Sequence, residues 1–264
     1  MLGQRVGSAL VGLVIILGSL ALGRLSFAVV VGVVIVLGAW EFALLARTRG
    51  VELSAPVIAA FSLTNLLYAV FYQSTNAVLP LLLLLLFFTW AREMLFGRQE
   101  GIGRRIGETI FGFLYTGVMF SFLYLVMDIP GYVSPVLALF CLMVTWCNDS
   151  GAYFVGMLHG KHLLCPAISP KKTLEGAAGG LLLGVLAAAL FGVFRFIAIK
   201  KAISVGVLCV VVAQCGDLFE SVLKRDAQVK DSGDLIPGHG GILDRFDSLL
   251  WVAPLVYYYF TFFG

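Results

Sequence analysis

The chain of 264 residues is unusually apolar, since 60% of its residues are hydrophobic and only 12% are Asp, Glu, Lys or Arg. Soluble domains carry about 25% charged residues, so the composition excludes an ordinary soluble protein and indicates one that lies in a membrane. The formal net charge of +3 is small, and we expect no nucleic-acid partner. Five cysteines without a C-x-x-C pair favour neither a disulfide framework nor a zinc site.

Long apolar runs separated by polar or Gly/Pro residues predict about nine transmembrane helices, because each crossing needs about 20 mostly apolar residues. The predicted spans are residues 6–22, 25–46, 54–72, 77–96, 107–127, 133–158, 174–199, 202–223 and 246–263. The first resembles a secretory signal, but the eight spans behind it favour a retained helix. We therefore expect an all-α, polytopic integral membrane helical bundle.

The Lys and Arg residues between the spans predict the orientation, because these residues concentrate on the cytoplasmic side. Fourteen of the eighteen lie at the amino terminus or in the loops after spans two, four, six and eight. This places the amino terminus in the cytoplasm. We expect the membrane to be the cell (inner) membrane, with the polar site described below facing the cytoplasm. Seven of the fourteen belong to the motifs described below, and without them the ratio falls to seven against four.

Acidic residues concentrate near the end of the chain. Seven of the fifteen fall between residues 217 and 247, namely Asp217, Glu220, Asp226, Asp231, Asp234, Asp244 and Asp247. Asp217 and Glu220 follow an apolar run and so lie inside span eight, where a carboxylate needs a partner or a water-filled cavity. Helical spacing puts both on one stripe with Ser221 and Lys224. The sequence thus predicts a polar, charged face on this helix.

The loop after span eight is rich in glycine and in charge. His239 is bracketed by Pro237, Gly238, Gly240 and Gly241. Glycines at this density let backbone N–H groups turn inward and hold a phosphate. Asp244 and Asp247 follow, three apart, where span nine is predicted to begin.

Carboxylates bind Mg²⁺, and Lys and Arg bind phosphate oxygens, so this mixture favours metal-assisted phosphoryl or nucleotidyl transfer. The alternative is a cytoplasmic loop whose charges solvate each other. The intramembrane position of Asp217 and Glu220 favours the functional interpretation.

A second group of polar residues lies between 148 and 176. Asp149 ends an apolar run and is another candidate intramembrane acid. The segment Ser169–Thr173 is predicted to be a turn before span seven, with Glu175 complementing the helix dipole in the first turn. Lys171 and Lys172, within the turn, either anchor lipid headgroup phosphates or bind substrate. The glycines that follow at four-residue intervals, Gly176, Gly180 and Gly184, indicate close helix packing.

Together these residues resemble the signature of the phosphatidate cytidylyltransferases, the CDP-diacylglycerol synthases. Its longest part covers residues 221–247 and contains Ser221, Lys224-Arg225, Lys230-Asp231, Pro237, His239-Gly240-Gly241, Asp244-Arg245 and Asp247. Upstream, the matching elements are Asp149 with Ala152-Tyr153 and Gly156, Ser169-Pro170-Lys171-Lys172-Thr173 with Glu175-Gly176, and Gly216-Asp217 with Glu220. The resemblance covers roughly residues 145–250. We therefore expect residues 1–140 to be transmembrane helices without site motifs, and residues 141–264 to be the catalytic region with cytoplasmic loops 159–173 and 224–245.

The resemblance implies a membrane enzyme that joins CTP to phosphatidic acid with Mg²⁺, giving CDP-diacylglycerol and pyrophosphate; a second cation is left open. On this hypothesis the metal ligands are Asp217, Asp244 and Asp149. The catalytic residues are Asp217, Asp244, Asp247, Lys224, Arg225 and Arg245. The substrate-binding residues are Lys171, Lys172, Ser221, Lys230, Asp231, His239, Gly240 and Gly241.

Two other functions share some of these features. A CTP-dependent lipid-alcohol kinase would use a similar membrane topology and similar cations, but its hydroxyl acceptor would need a general base. An ion-coupled secondary transporter would also contain intramembrane acids and broken helices, but it predicts matched features in two halves. Small residues on several spans are compatible with a homodimer.

Overall fold

The computed structural model of the protein describes residues 2–96, 100–236, 238 and 240–263. Most of these residues are helical. The α-helices are α1 (Leu2–Leu22), α2 (Arg24–Thr48), α3 (Ala55–Tyr72), α4 (Val78–Phe96), α5 (Ile102–Gly112), α6 (Met119–Leu125), α7 (Val136–His159), α8 (Leu174–Val193), α9 (Ile199–Asp226), α10 (Leu243–Phe246) and α11 (Leu249–Phe263). A π-helical segment, Phe113–Val118, joins α5 to α6, and a 3₁₀ turn, Val126–Asp128, follows α6.

Seven helical segments in the described residues are long and apolar enough to cross a membrane. They are Arg24–Thr48, Ala55–Tyr72, Val78–Phe96, Ile102–Asp128, Val136–His159, Leu174–Val193 and Ile199–Asp226. This confirms an all-α, polytopic membrane protein. The first and ninth predicted spans correspond to shorter apolar helices, Gly7–Leu22 and Leu249–Phe263. The count of nine crossings therefore stays a prediction.

The predicted turn at Ser169–Thr173 is wrong, because this segment is a β-strand. It forms β2, which pairs antiparallel with β1 (Leu163–Cys165), so that Leu163 lies opposite Thr173 and Cys165 opposite Ser169. Strand pairing satisfies the backbone hydrogen bonds of this connection, because each strand residue pairs with a partner four to ten positions away in the sequence. The hairpin leads directly into α8.

Two predicted boundaries also differ from the structure. Span seven ends at Val193 instead of residue 199, and Arg195 just beyond it has a positive φ of 59° that no helix accommodates. Span nine begins at Leu249 instead of residue 246, after the separate short helix α10. In this break the Asp247 carboxylate accepts a hydrogen bond from the Ser248 N–H at 2.6 Å. Asp244 and Asp247 therefore do not begin one continuous helix as predicted.

The residues up to Leu125, together with Asp226–Arg245, form one compact unit. Within it α2 packs against α1, α3, α5 and α6. A glycine allows one close approach, since a Cβ on Gly112 would lie 2.9 Å from the ring of Phe42. Gly38 on α2 similarly faces Leu243, whose side chain would lie 3.5 Å from an added Cβ. The carboxyl-terminal segment of this unit is thus packed on α2.

The second compact unit comprises Val126–Arg225 and the residues from Phe246 onward. Its principal contact joins α7 to α8 through glycines, which let two helix backbones approach closely. A Cβ on Gly151 would lie 2.5 Å from the Gly179 carbonyl oxygen, and one on Gly176 would lie 2.9 Å from the Ala152 carbonyl oxygen. A Cβ on Gly180 would likewise lie 2.6 Å from the side chain of Asn148, and Gly184 faces Val210 on α9. The packing role predicted for Gly176, Gly180 and Gly184 is confirmed.

Candidate active site

Helix α9 carries the predicted polar stripe. Glu220 is fully buried, and the Lys224 Nζ lies 3.6 Å from its Oε1, one helical turn away. Ser221, the neighbour of Glu220, is half-buried. A carboxylate this deep in an apolar helix requires a cation or a polar cavity, and Lys224 supplies the cation. The predicted charged face on this helix is therefore present.

The β-hairpin brings a second lysine to the same helix. The Lys172 Nζ lies 2.7 Å from the Asp217 Oδ1, and both side chains keep partial exposure of 26% and 36%. This pairing favours a role for Lys172 in the site over a role as a lipid anchor. Lys171, the preceding residue on β2, is exposed, so both of its interpretations stay open. Arg225 holds the hairpin connection, because its Nε donates to the Ile168 carbonyl oxygen at 3.2 Å.

Asp149 is held by a chain of amide side chains. The Asn148 Nδ2 donates to the Asp149 Oδ1 at 2.9 Å, and the Gln214 Nε2 donates to the Asn148 Oδ1 at 3.0 Å. Gln214 also donates to the Ala177 carbonyl oxygen at 3.0 Å. This chain links α7, α8 and α9. The close packing of α7 on α8, which the glycines allow, brings these groups within hydrogen-bond distance of one another.

The acids of this unit interact electrostatically. Asp149 is repelled by Asp217 and by Asp247, and Lys172 opposes that repulsion. Burial raises the pKa of Asp247 to about 6, and the neighbouring Asp217 carboxylate contributes to the rise. Four carboxylates, those of Asp149, Asp217, Glu220 and Asp247, therefore face the two ammonium groups of Lys172 and Lys224. The acids outnumber the lysines, which favours the binding of a cation.

The donor chemistry of this cluster fits Mg²⁺. Within the described residues no three His, Cys, Asp or Glu side chains are arranged as a complete ligand set for one ion. Mg²⁺ commonly binds through one or two carboxylates and takes its other ligands from water and substrate phosphates. Asp149 and Asp217 belong to this unit, whereas Asp244 belongs to the other. Their grouping around a single ion stays a prediction.

In the other unit, the predicted glycine-rich loop is closed on itself. The Ile236 N–H donates to the Gly240 carbonyl oxygen at 2.9 Å. Gly238 and Gly240 have positive φ values of 77° and 78°, which favour glycine over any residue with a side chain. Pro237 and His239 lie outside the described residues.

Asp244 is fixed by the same loop. Its Oδ2 accepts hydrogen bonds from the Ser232 N–H at 2.8 Å, the Ser232 Oγ at 3.0 Å and the Gly241 N–H at 2.9 Å. Three donors on one oxygen hold the carboxylate in one orientation. The Gly241 N–H is thus directed at Asp244, and the predicted role of Gly241 in binding substrate phosphate stays a prediction.

A polar cavity of about 480 Å³ lies beside this loop. Its lining includes four residues predicted to bind substrate or to act in catalysis: Lys230, Asp231, Gly240 and Arg245. Cavities of about 300–1,000 Å³ are the usual size for small ligands. The structure thus gathers these four predicted residues around one space that a phosphate-bearing ligand would fit.

One functional candidate of this region, Glu41, was not identified from the sequence. Glu41 on α2 is fully buried, and its carboxylate accepts hydrogen bonds from the glycine-rich loop. The sequence prediction places no site motif in residues 1–140. The available signal was a single acid inside the apolar second span, which is costly to bury and is therefore a functional candidate.

Carboxylates of membrane-spanning helices that pair with lysines, together with a glycine-rich polar loop, are typical of an integral membrane protein that handles phosphate-bearing ligands. Over residues 3–263 the chain matches the cytidylyltransferase family. The protein belongs to that family.

Individual relatives agree. The phosphatidate cytidylyltransferase of Synechocystis sp. (strain ATCC 27184 / PCC 6803 / Kazusa) is 36% identical over 97% of this chain and 95% of its own. That of Bacillus subtilis (strain 168) is 40% identical over 60% of each chain. That of Staphylococcus saprophyticus is 47% identical over 45% of this chain and 46% of its own. The matched region thus spans about half to nearly all of the length of these relatives.

Proposed function

We propose that the protein transfers the cytidylyl group of CTP to phosphatidic acid, forming CDP-diacylglycerol and pyrophosphate. The observation that carries the proposal is a partly buried cluster of acids and lysines, centred on Lys172 and Asp217, in a chain that matches the cytidylyltransferase family along almost its whole length. The similar proteins named above are phosphatidate cytidylyltransferases, which supports this choice of substrates.

The chemistry explains why cations, and no general base, are needed. An oxygen of the lipid phosphate attacks the α-phosphorus of CTP, and the bond from that phosphorus to the bridging α–β oxygen breaks to release pyrophosphate. A phosphate monoester has a second pKa of about 6, so at neutral pH it is already largely a dianion. The barrier is the repulsion between two anions, which positioned positive charges lower.

The basic residues of the two units supply those charges. Lys172 and Lys224 lie among the acids of the helical cluster, and Lys171 and Arg225 lie beside them on β2 and α9. We assign these four to the phosphates at the reacting centre. Lys230 and Arg245, which line the polar cavity, are assigned to the triphosphate and the leaving pyrophosphate.

Mg²⁺ is part of this proposal. The carboxylates of Asp217, Asp149 and Asp244 would hold it, and the bound ion would neutralise phosphate charge and polarise the α-phosphate. Asp247 and Asp231 would support these ligands as neighbouring acids. We assign no ligand to a second cation.

The proposed topology has nine crossings, with the amino terminus in the cytoplasm of a bacterial cell and the polar site open to the cytoplasm. Fourteen of eighteen Lys and Arg residues on the cytoplasmic side support this orientation. CTP would enter from water, while the lipid headgroup would arrive from the bilayer with its acyl chains left there. The homodimer, and the absence of a nucleic-acid partner, stay predictions.

Product analysis tests the function. The purified protein in lipid micelles is given CTP labelled at the α-phosphate, with phosphatidic acid and Mg²⁺ or with diacylglycerol and Mg²⁺. We expect labelled CDP-lipid and unlabelled pyrophosphate, and only in the reaction that contains phosphatidic acid. Labelled CDP together with phosphorylated diacylglycerol would instead identify a lipid-alcohol kinase. Solute flux in vesicles without covalent turnover would identify a transporter.

A further inference from the structure

Glu41 is a buried acid in a membrane-spanning helix whose carboxylate binds a distant part of the chain. It lies near the carboxyl end of α2, and none of its surface is exposed. The residues that it contacts are about 200 positions later in sequence. A carboxylate without polar partners would be very costly at this position, so these contacts account for its presence.

The carboxylate accepts three hydrogen bonds. Its Oε1 accepts from the Ile242 N–H at 2.7 Å, and its Oε2 accepts from the Leu243 N–H at 2.9 Å and from the Ser232 Oγ at 3.1 Å. The two backbone donors lie where the short helix α10 begins, and the carboxylate satisfies N–H groups that such a helix cannot bond internally. Both oxygens are therefore needed as acceptors.

Ser232 links Glu41 to Asp244. Its Oγ lies 3.1 Å from the Glu41 Oε2 and 3.0 Å from the Asp244 Oδ2, so both carboxylates compete for its single hydroxyl proton. The backbone N–H of Ser232 also donates to Asp244. A displacement of Glu41 would thus release the serine that orients Asp244.

Two glycines allow the loop to close around the carboxylate. A Cβ on Gly233 would lie 3.0 Å from the Glu41 Oε1, and one on Gly241 would lie 2.6 Å from the same atom. The Gly241 Cβ would also collide with the Glu41 Oε2 and the Ser232 Oγ. Gly241 itself donates its N–H to Asp244. The glycine density that predicts a phosphate-binding loop is thus also what lets this loop enclose Glu41.

We infer that Glu41 is a positioning residue: its carboxylate, anchored in α2, holds Ser232, Ile242 and Leu243 in the positions that orient Asp244 and shape the polar cavity. Glu41 itself is fully buried and does not line that cavity. The inference about turnover rests on the proposed function, whereas the inference about loop conformation does not.

The test replaces Glu41 by Gln, which keeps the size of the side chain but turns one acceptor into an N–H₂ donor facing a backbone N–H. The matched control is Glu93→Gln, because Glu93 is also a buried acid in a membrane-spanning helix of the same unit. Its carboxylate pairs with Arg105 at 2.7 Å and Arg92 at 2.8 Å. Hydrogen exchange of the amides of Ile242 and Leu243 is measured by mass spectrometry without nucleotide or metal, and CDP-lipid formation is measured separately.

For Glu41→Gln we expect exchange at Ile242 and Leu243 to quicken by about tenfold or more, the effect of losing a hydrogen bond to a charged acceptor. Turnover should fall by about 10–100-fold, as for residues that orient a ligand-binding side chain, and Glu41→Asp should recover part of it. Glu93→Gln should leave exchange at these two amides unchanged.

Unchanged exchange in Glu41→Gln would overturn the inference, as would equal quickening in Glu93→Gln. If Glu41→Gln does not fold, Gly241→Ala keeps the carboxylate but pushes it away, and it should quicken exchange at the same two amides. If the wild-type protein makes no CDP-lipid but Glu41→Gln still quickens exchange, Glu41 remains the residue that holds the loop, and only the proposed reaction is refuted.

Discussion

Replacing Asp217 by Asn separates a catalytic role of this acid from a structural one. The substitution changes one oxygen to nitrogen and removes one negative charge from the cluster of four acids and two lysines. The amide oxygen can still accept a hydrogen bond from the Lys172 Nζ, which lies 2.7 Å from the Asp217 Oδ1. The Lys172 Nζ is buried, but the substitution also relieves the repulsion of Asp149 and Asp247 by Asp217, so the net cost to folding should be only about 1 kcal/mol.

The effect on turnover should be much larger. If Asp217 binds the cation that lets two anions meet, its loss should exceed the roughly 10–100-fold typical of residues that only orient a ligand. A 100-fold loss in kcat/KM corresponds to about 2.7 kcal/mol of transition-state stabilisation. The expected signature is therefore a near-normal melting temperature together with a loss of at least about 100-fold.

The assay is CDP-lipid formation by purified variants, with thermal unfolding measured on the same preparations. Asp226→Asn is the matched control, because Asp226 ends the same helix and is also ion-paired, with Arg49 at 3.1 Å, while its side chain is 62% exposed. As an ordinary surface substitution it should alter turnover by about twofold at most. Comparable turnover in the two variants, both folded, would remove Asp217 from the site.

Three further predictions use other parts of the structure. Lys171→Ala should raise the KM for CTP or phosphatidic acid with little change in kcat, because Lys171 is exposed on β2; an unchanged KM would identify it as a lipid anchor instead. Gly180→Ala should destabilise the protein by about 1–3 kcal/mol, measured as a lowered melting temperature, because its Cβ would lie 2.6 Å from the Asn148 Oδ1; an unaltered melting temperature would show that α7 and α8 can separate. Chelation with EDTA should abolish CDP-lipid formation and excess Mg²⁺ should restore it, since the acids of the cluster outnumber its lysines; turnover that persists in EDTA would refute the metal assignment.

The membrane character and the chemical class of the site could be predicted from sequence. Apolar runs located a helix in each of nine predicted spans, because a helix satisfies its own backbone in lipid and its length follows from the thickness of the bilayer. Acids inside such runs, above all Asp217 and Glu220, indicated a polar site, because a carboxylate is costly in the membrane interior and is therefore rare there. The four-residue glycine repeat of α8 likewise predicted close packing before the facing helix was known.

Contacts between distant segments could not be predicted in this way. The sequence contains no local sign that Lys172 lies on a strand and reaches Asp217, or that Glu41 receives the backbone of residues 242 and 243. Spacing along one helix gives the position of a side chain on that helix, but it carries no information about which other helix faces it. Composition and periodicity therefore determined the membrane helices and the presence of a charged face on one of them. Only tertiary packing decided which acid meets which cation, because those pairings depend on side chains brought together from segments far apart in the chain.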